Sequence, residues 1–397
     1  MSIVGLDIFC GAGGVTYGLR KAGIKVAVGV ERNEDCRLTY TQNNPAAMFL
    51  SEDVRNLSAR TLLSHVRSIS DSDFLLLAAC APCQPFSLQN KSRDEALDRA
   101  VLRHVERLVR QMRPDFLFIE NVPGLQRVKG FSAFRRLMHA LRAFRYKTHY
   151  QVVDAAWYGV PQHRRRLVLT ASLHGDAPWP APSHGDAPGL APFATVRRAI
   201  SHYPPLKSGE QHPIVPNHIA SDLARHNLER LHATPGDGGS RTEWPSRLVL
   251  KCHKKHDGHP EVYGRLRWDA PAPTLTTKCT SLSNGRYGHP EQHRAISARE
   301  AAALQSFEDS YIFYGGILEI TRQIGNAVPP VLAETFGAQF ATHASELNGI
   351  RRKMPWHSLI KKANAATRSL EAPHFQATTK RGLDSAKRCR ERTLSRR

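Results

Sequence analysis

Three short apolar runs in the first third of the chain each end in residues that carry chemistry. Val26-Ala27-Val28-Gly29-Val30 is followed by Glu31, Phe74-Leu75-Leu76-Leu77-Ala78-Ala79 by Cys80-Ala81-Pro82-Cys83, and Phe116-Leu117-Phe118-Ile119 by Glu120-Asn121. Runs of this length that lack polar alternation suit strands buried on both faces of a parallel sheet. From residue 3 to about 170 they alternate with helical patterns, the sequence form of βαβ units. The spacing predicts strands at 3–9, 25–31, 74–79, 116–120 and 167–170 around a mainly parallel sheet. A helix is predicted over 95–113, where Leu97, Val101, Val105, Leu108, Val109 and Met112 form one stripe before Pro114. In a doubly wound α/β sheet, ligands sit beyond the carboxyl ends of the strands. One crevice would then collect Glu31, Cys83 and Glu120.

Charge points to the partner. Lys and Arg number 56 against 35 Asp and Glu, a formal net charge of +21 that attracts polyanions, with nucleic acid foremost. Part of the excess lies in the last fifty or so residues, but Arg164-Arg165-Arg166 and Lys254-Lys255 lie well inside the chain. No apolar run is long enough to span a bilayer, and the start shows neither a basic region nor a cleavage site, so a cytoplasmic protein is expected. Seven irregularly spaced cysteines argue for free thiols rather than a disulfide framework. Cys80-x-x-Cys83 has no second pair, and Cys252, His253, His256 and His259 lack a second compact ligand pair, so no metal is expected.

The texture changes along the chain. After residue 172 comes a stretch rich in Pro, Ala, Gly and His, in which His174-Gly175-Asp176-Ala177-Pro178 returns as His184-Gly185-Asp186-Ala187-Pro188. This reads as a linker over 173–195, its short repeat a duplicated loop without a role of its own. Weak periodicity from 196 to 262 suggests a small irregular domain. Helical pattern resumes near 297–305 and again over 328–343. Beyond about 346 the chain is polar, basic and expected to be disordered.

Asp7-Ile8-Phe9-Cys10-Gly11-Ala12-Gly13-Gly14 joins the first expected strand to a helix over 15–22, with glycines that let backbone approach a ligand. Glu31 follows about twenty residues later, where an acid commonly holds ribose hydroxyls. A dinucleotide would want a further glycine where Thr16 stands, so a nucleoside cofactor without phosphates, such as S-adenosylmethionine, fits better, with Asp53 near the adenine.

These residues, across about 3–341, resemble the DNA (cytosine-5)-methyltransferases of bacterial restriction–modification systems. Phe9-x-Gly11-x-Gly13 resembles the family's cofactor loop, Pro82-Cys83-Gln84 its catalytic loop and Glu120-Asn121-Val122 its base-binding strand end. Gln162-x-Arg164-x-Arg166, residues 265–277 and Gly325-Asn326-x-Val328-Pro329 are similar to its eighth, ninth and tenth motifs. The resemblance implies a Rossmann-like S-adenosylmethionine-dependent methyltransferase sheet with helices on both faces and a small irregular target-recognition domain. It divides the chain into 1–172 for catalysis and cofactor, 196–277 for recognition including the ninth motif, and 278–345 for a return to the catalytic domain.

C5 of cytosine is too poor a nucleophile to take a methyl group unaided, and covalent addition solves this. By resemblance, Cys83 thiolate attacks C6, turning the ring into an enamine whose C5 can accept the methyl. Glu120 contacts N3 and the exocyclic amino group, useful if burial keeps it protonated. Arg166 holds O2, and Arg164 lies beside it near the nucleophile, where the two would also favour the thiolate. Phe9, Gly11, Gly13, Glu31, Arg32, Asp53, Pro82, Asn326 and Val328 would line the cofactor. The base must be flipped out of a double-stranded DNA partner, and Gln84, Ser87, Arg165, Arg241, Lys251, Lys254 and Lys255 are candidate DNA contacts. A monomer associated with the nucleoid is expected.

The chain departs from the family where Ala79-Cys80 replaces a usual Gly-Gly and where Arg32 replaces an aromatic residue beside the adenine. Oxidation joining Cys80 to Cys83 is a further expectation. A tRNA cytosine methyltransferase and a DNA-binding regulator without turnover are the alternatives that remain at this point.

Overall fold

A computed structural model describes residues 2–69, 74–81, 95–127, 133–254 and 261–347. Its sheet contains β1 (Ile3–Ile8), β2 (Lys25–Glu31), β3 (Met48–Ser51), β4 (Phe74–Ala79), β5 (Phe116–Asn121), β6 (Lys147–Asp154) and β7 (Arg165–Ser172). The spatial order is β3-β2-β1-β4-β5-β7-β6. The five expected strands are present, β2 and β4 with the expected bounds, and β1 to β5 run parallel. Two strands are additional. β3 is only four residues long, and β6 is a largely exposed edge strand whose sequence carries little apolar signal.

Apolar residues alternate between the two faces of the sheet. Leu75, Leu77, Leu117 and Ile119 join one core with Leu63 and Val66 of α3 (Ala59–Ile69), Val105 and Met112 of α4 (Glu95–Met112), and Leu137 and Leu141 of α5 (Ala133–Ala143). Phe74, Leu76, Phe116 and Phe118 face the other way, toward α1 (Gly14–Lys21), α2 (Arg37–Asn43) and α10 (Pro330–Glu346). The expected α4 stripe is therefore partly buried at Val101 and buried from Val105 onward, where its members fill the first core. Burial on both faces explains the absence of polar alternation in β1, β4 and β5.

β7 is antiparallel to β5, and β6 to β7. This reversal positions the site. The start of β7, Arg165 and Arg166, lies at the same end of the sheet as the carboxyl ends of the parallel strands, with Glu120 paired to Val168. A parallel β7 would have placed Ser172 there instead.

The return segment carries α8 (Ala298–Leu304) and α9 (Ile317–Asn326), and with α6 (Val196–Ile200) it builds a third core around Trp268, Tyr287, Phe307 and Phe313. Ser297 caps α8 in a reciprocal pairing with Glu300. A fourth, smaller core gathers Leu223, Leu231, Trp244, Leu248, Tyr263, Leu282 and Ala295 near α7 (Arg225–His232). That core gathers residues between 223 and 295, so it includes Leu282 and Ala295 beyond residue 277.

The stretch 173–195 needs a correction. His174 is no passive copy, because its Nε2 lies 2.9 Å from Asp115 Oδ1 and its ring meets the edges of Phe74 and Phe116. The second copy differs: Ser183 and His184 both donate backbone N–H to Trp157 O. The stretch is thus pinned beside the start of β5 by the His174 ring and at the turn after β6 by the backbone of Ser183 and His184. Residues 348–397 lie outside the described residues, and so does the expectation of a disordered tail.

Candidate active site

The strand order reverses between β1 and β4, with β2 and β3 on one side and β5 onward on the other, so the crevice belongs at their carboxyl ends. Ile8 is level with Ala79, and Cys80 N–H donates to Ile8 O. Beyond β1, Phe9 turns through the left-handed region at φ 68°, and both Phe9 and Cys10 donate to Val30 O. The chain is thereby folded back over the end of β2. Gly11 and Gly13 also take positive φ, and a Cβ on Gly11 would point into open space.

Glu31 closes β2 beneath this loop. Its Oε2 accepts Gly11 N–H at 3.3 Å and its Oε1 accepts Asn33 N–H at 2.9 Å. Each oxygen retains a lone pair for a hydroxyl donor. Asp53, past the end of β3, is held in its ionised form near pKa 2, first by Arg55 donating to both its oxygens, with Arg32 Nη1 at 3.6 Å adding to the effect. Arg32 is two-thirds exposed and reaches over Asp53. Val328 is buried against α1, its carbonyl inside the space that a Cβ on Gly14 would need. Asn326 is exposed at the end of α9. A vicinal diol and an adenine edge suit this donor and acceptor set, so the residues fit a nucleoside cofactor, with Gly11 leaving the close approach free.

At the end of β5, Glu120 is nearly buried, and Arg166 Nε lies 2.9 Å from its Oε1. Its neighbour is a cation rather than an apolar wall. Asn121 Nδ2 donates to Ala81 O at 3.1 Å and so fixes the point where the chain leaves β4 toward residue 83. Burial, then the Glu120 charge, push the Cys80 thiol well above the usual range, which keeps it unreactive. Pro82, Cys83, Gln84, Ser87 and Lys255 lie outside the described residues, as do His256 and His259.

Arg164 has a different environment from the one expected beside a nucleophile. It is 2% exposed, and its guanidinium donates to Leu275 O at 3.1 Å, Gly325 O at 2.9 Å and Ala327 O at 3.0 Å. Burial, with Arg166 second, lowers its pKa to about 9. Gln162 completes the tie by donating to Leu304 O and Gln305 Oε1 while accepting Leu275 N–H. The eighth-motif residues therefore join β7 to the ninth- and tenth-motif segments. Arg265 makes a similar tie within 231–292, donating to Thr234, Leu231, His289 and Gln292 carbonyls.

Among the expected DNA contacts, Arg165 and Lys251 are exposed. Arg241 is corrected: it is buried, because it opens a short turn whose Trp244 packs into the fourth core. A buried arginine does not present its charge to a phosphate. The sequence reading also missed Tyr311, whose hydroxyl donates to Ala12 O in the glycine loop. It missed the buried Arg294–Glu300 pair, bonded twice at 2.7 Å, as well. No period or motif of the sequence marks these as partners.

A doubly wound sheet with its glycine loop over one acid, and an acid–arginine pair at the carboxyl end of β5, is an arrangement that fits a nucleoside cofactor. The model of the C-5 cytosine-specific DNA methylase family matches residues 3–341, and the chain belongs to that family, whose methyl donor is S-adenosylmethionine. It is 38% identical over 334 residues to the Type II methylase M.HgiDII of Herpetosiphon aurantiacus, covering 82% of this chain and 92% of that one. It is 32% identical over 338 residues to the Type II methyltransferase M1.HphI of Haemophilus parahaemolyticus, covering 84% and 85%. The fold matches the crystal structure of a prophage-encoded E. coli DNA modification methyltransferase with TM-score 0.67 at 22% identity, covering 87% of this chain and 100% of that one. DNMT2 of Spodoptera frugiperda matches at TM-score 0.56 and 16% identity, covering 84% and 98%. Among the described residues no helix is long and apolar enough to cross a membrane.

Proposed function

We propose that the chain methylates C5 of one cytosine flipped out of a specific short duplex DNA sequence, through a transient bond between Cys83 and C6. The observation that carries this reading is the 2.9 Å Glu120–Arg166 pair at the strand end beside the carbonyl of Ala81, two residues before Cys83. Cys83 sulfur adds to C6, Glu120 meets N3 and the exocyclic amino group, and Arg166 meets O2. The charge that addition puts on the ring is thereby shared with a proton at Glu120 and with a guanidinium. Loss of the C5 proton and of the sulfur restores the aromatic ring.

S-adenosylmethionine, when bound, supplies the methyl group on a sulfonium. Glu31 would hold the ribose hydroxyls, Asp53 with Arg32 the adenine, and Phe9, Gly11, Gly13, Pro82, Asn326 and Val328 the walls. Arg164 supports Arg166 by locking the start of β7 to the return segment. Gln84, Ser87, Arg165, Lys251, Lys254 and Lys255 are proposed DNA contacts. We assign the protein to a bacterial restriction–modification setting as a cytoplasmic, nucleoid-associated monomer, in keeping with the Type II names of its relatives.

The test uses oligonucleotides that carry 5-fluorocytosine, whose fluorine cannot leave as the C5 proton does. Bisulfite sequencing of DNA from expressing cells identifies the site to substitute. With S-adenosylmethionine, the wild type should form a denaturant-stable adduct that maps to Cys83, and Cys83→Ala should form none. Full methyl transfer by Cys83→Ala would refute the covalent route.

A further inference from the structure

The glycine loop is held by a segment some three hundred residues further along the chain. Tyr311, on the return segment, is fully buried, and its hydroxyl donates to Ala12 O, the carbonyl between Gly11 and Gly13. Asn44, just past α2, donates its Nδ2 to the same hydroxyl at 3.3 Å and to Tyr40 O at 3.1 Å. A Cβ on Gly13 would stand 2.5 Å from Asn44 Nδ2 and 2.8 Å from the Tyr311 hydroxyl, so the loop lies directly on this pair. The same stretch is stitched to α2 on its far side. Ile312 N–H donates to Asn43 Oδ1 at 3.0 Å, Asn43 Nδ2 returns a bond to Ile312 O at 2.7 Å, and Tyr314 N–H donates to Thr39 Oγ1 at 2.9 Å.

We propose that Tyr311 is a positioning residue for S-adenosylmethionine: with Asn44 it fixes the Ala12 peptide, and so sets the conformation in which the loop from Phe9 to Gly14 receives the cofactor. The physical argument is pre-organisation. Two positive-φ glycines flank Ala12, and such a loop has several accessible backbone states whose restriction must be supplied either before or during binding. The hydroxyl of Tyr311 supplies it beforehand. A second consequence concerns communication, because Asn217 of the recognition side bonds both the N–H and the carbonyl of Phe313, each at 2.8 Å. The strap 311–314 therefore touches the cofactor loop at one end and the recognition side two residues later.

This inference rests on the reading of that loop as the cofactor cradle, and the experiment separates the two. S-adenosylmethionine binding to the full-length chain is measured by titration calorimetry without DNA, in the wild type, Tyr311→Phe and Asn44→Ala. Hydrogen exchange of the Gly11 to Gly14 amides is followed in the absence of cofactor. Leaving the buried Ala12 carbonyl without its donor should weaken binding by about five- to twentyfold in Tyr311→Phe. Asn44→Ala should show a smaller loss, loop exchange should quicken in both, and Tyr17→Phe, which keeps its ring against Tyr311 and removes hydroxyl bonds to Glu308 and Ser310 but none to the loop, should bind as the wild type. The turnover rate at saturating cofactor and the affinity for duplex DNA should stay within about twofold for Tyr311→Phe. Unchanged binding in both variants, beside a wild type that binds, overturns the proposal. So does a parallel fall of cofactor affinity, turnover, DNA affinity and melting temperature, which marks a general packing defect. A wild type that binds no S-adenosylmethionine overturns the cradle reading itself.

Discussion

Replacing Arg164 by lysine separates two uses of a buried cation. In the wild type one terminal nitrogen serves Leu275 O, at 3.1 Å, and the other serves Gly325 O and Ala327 O, at 2.9 and 3.0 Å. A lysine offers one nitrogen, which reaches either the first carbonyl or the pair. At least one carbonyl then loses a bond from a charged donor worth about 1.5–3 kcal/mol. The ammonium is also more strongly hydrated than a guanidinium and resists burial more. The expected loss is about 2–4 kcal/mol, or a fall in melting temperature of roughly 2–6 °C for a chain of this size. The assay pairs thermal unfolding followed by circular dichroism with single-turnover methylation well below either transition. If the carbonyl ties are what Arg164 provides, the melting temperature falls as stated while the single-turnover rate stays within about tenfold. A melting temperature within about one degree of wild type, together with a hundredfold slower single turnover, would refute the reasoning and place the guanidinium on the reacting base.

Two further outcomes follow from buried groups at the end of β1. Burial raises the Asp7 carboxyl to about 7, against Thr16, whose N–H and hydroxyl both donate to Oδ2, while Oδ1 has no partner among the described residues. The native state therefore holds a proton that the unfolded chain releases near pH 3.8, so this group's contribution is complete below that pH and fades as pH rises through about 7. Asp7→Asn should remove the decline, with chemical denaturation showing an advantage over wild type that grows from pH 4 to pH 8 toward an order of 4 kcal/mol; an advantage that does not vary with pH would count against it. Gly14→Ala forces a methyl into the carbonyl of Val328. Its α1–α10 contact should loosen, lowering the free energy of unfolding by about 1–3 kcal/mol in chemical denaturation, and wild-type stability in that variant would show that the helices part without cost.

What the sequence made visible is what burial imposes on it. β2 and β4 could be placed to the residue because both of their faces are covered, and such strands must be apolar throughout. β6 faces solvent along one side and is mostly polar, so it leaves no run to find. The reversal of β7 is also silent, since Leu167 to Thr170 read alike in either direction; only the acid–arginine pairing across β5 reveals it. Glu120 and Glu31 were legible because each follows an apolar run. Tyr311 and Gln305 were not, because their partners lie 299 and 143 residues away and neither stands in a pattern. Arg164 and Arg166 look equivalent in the sequence, yet Arg164 stands just before β7 and is tied to carbonyls of the return segment, while Arg166 lies within β7 and faces Glu120.

The way the chain leaves and rejoins the sheet region has an evolutionary consequence. Val196 N–H donates to Ala270 O at 2.9 Å and Arg197 N–H to Trp268 O at 2.8 Å, so the two ends of a segment of some seventy residues are pinned side by side. Because closing a longer loop adds little entropy once its ends are pinned, turns of this segment away from the bonds that Tyr203, Asn217 and His218 make with the return segment can be lengthened or trimmed without moving those two ends.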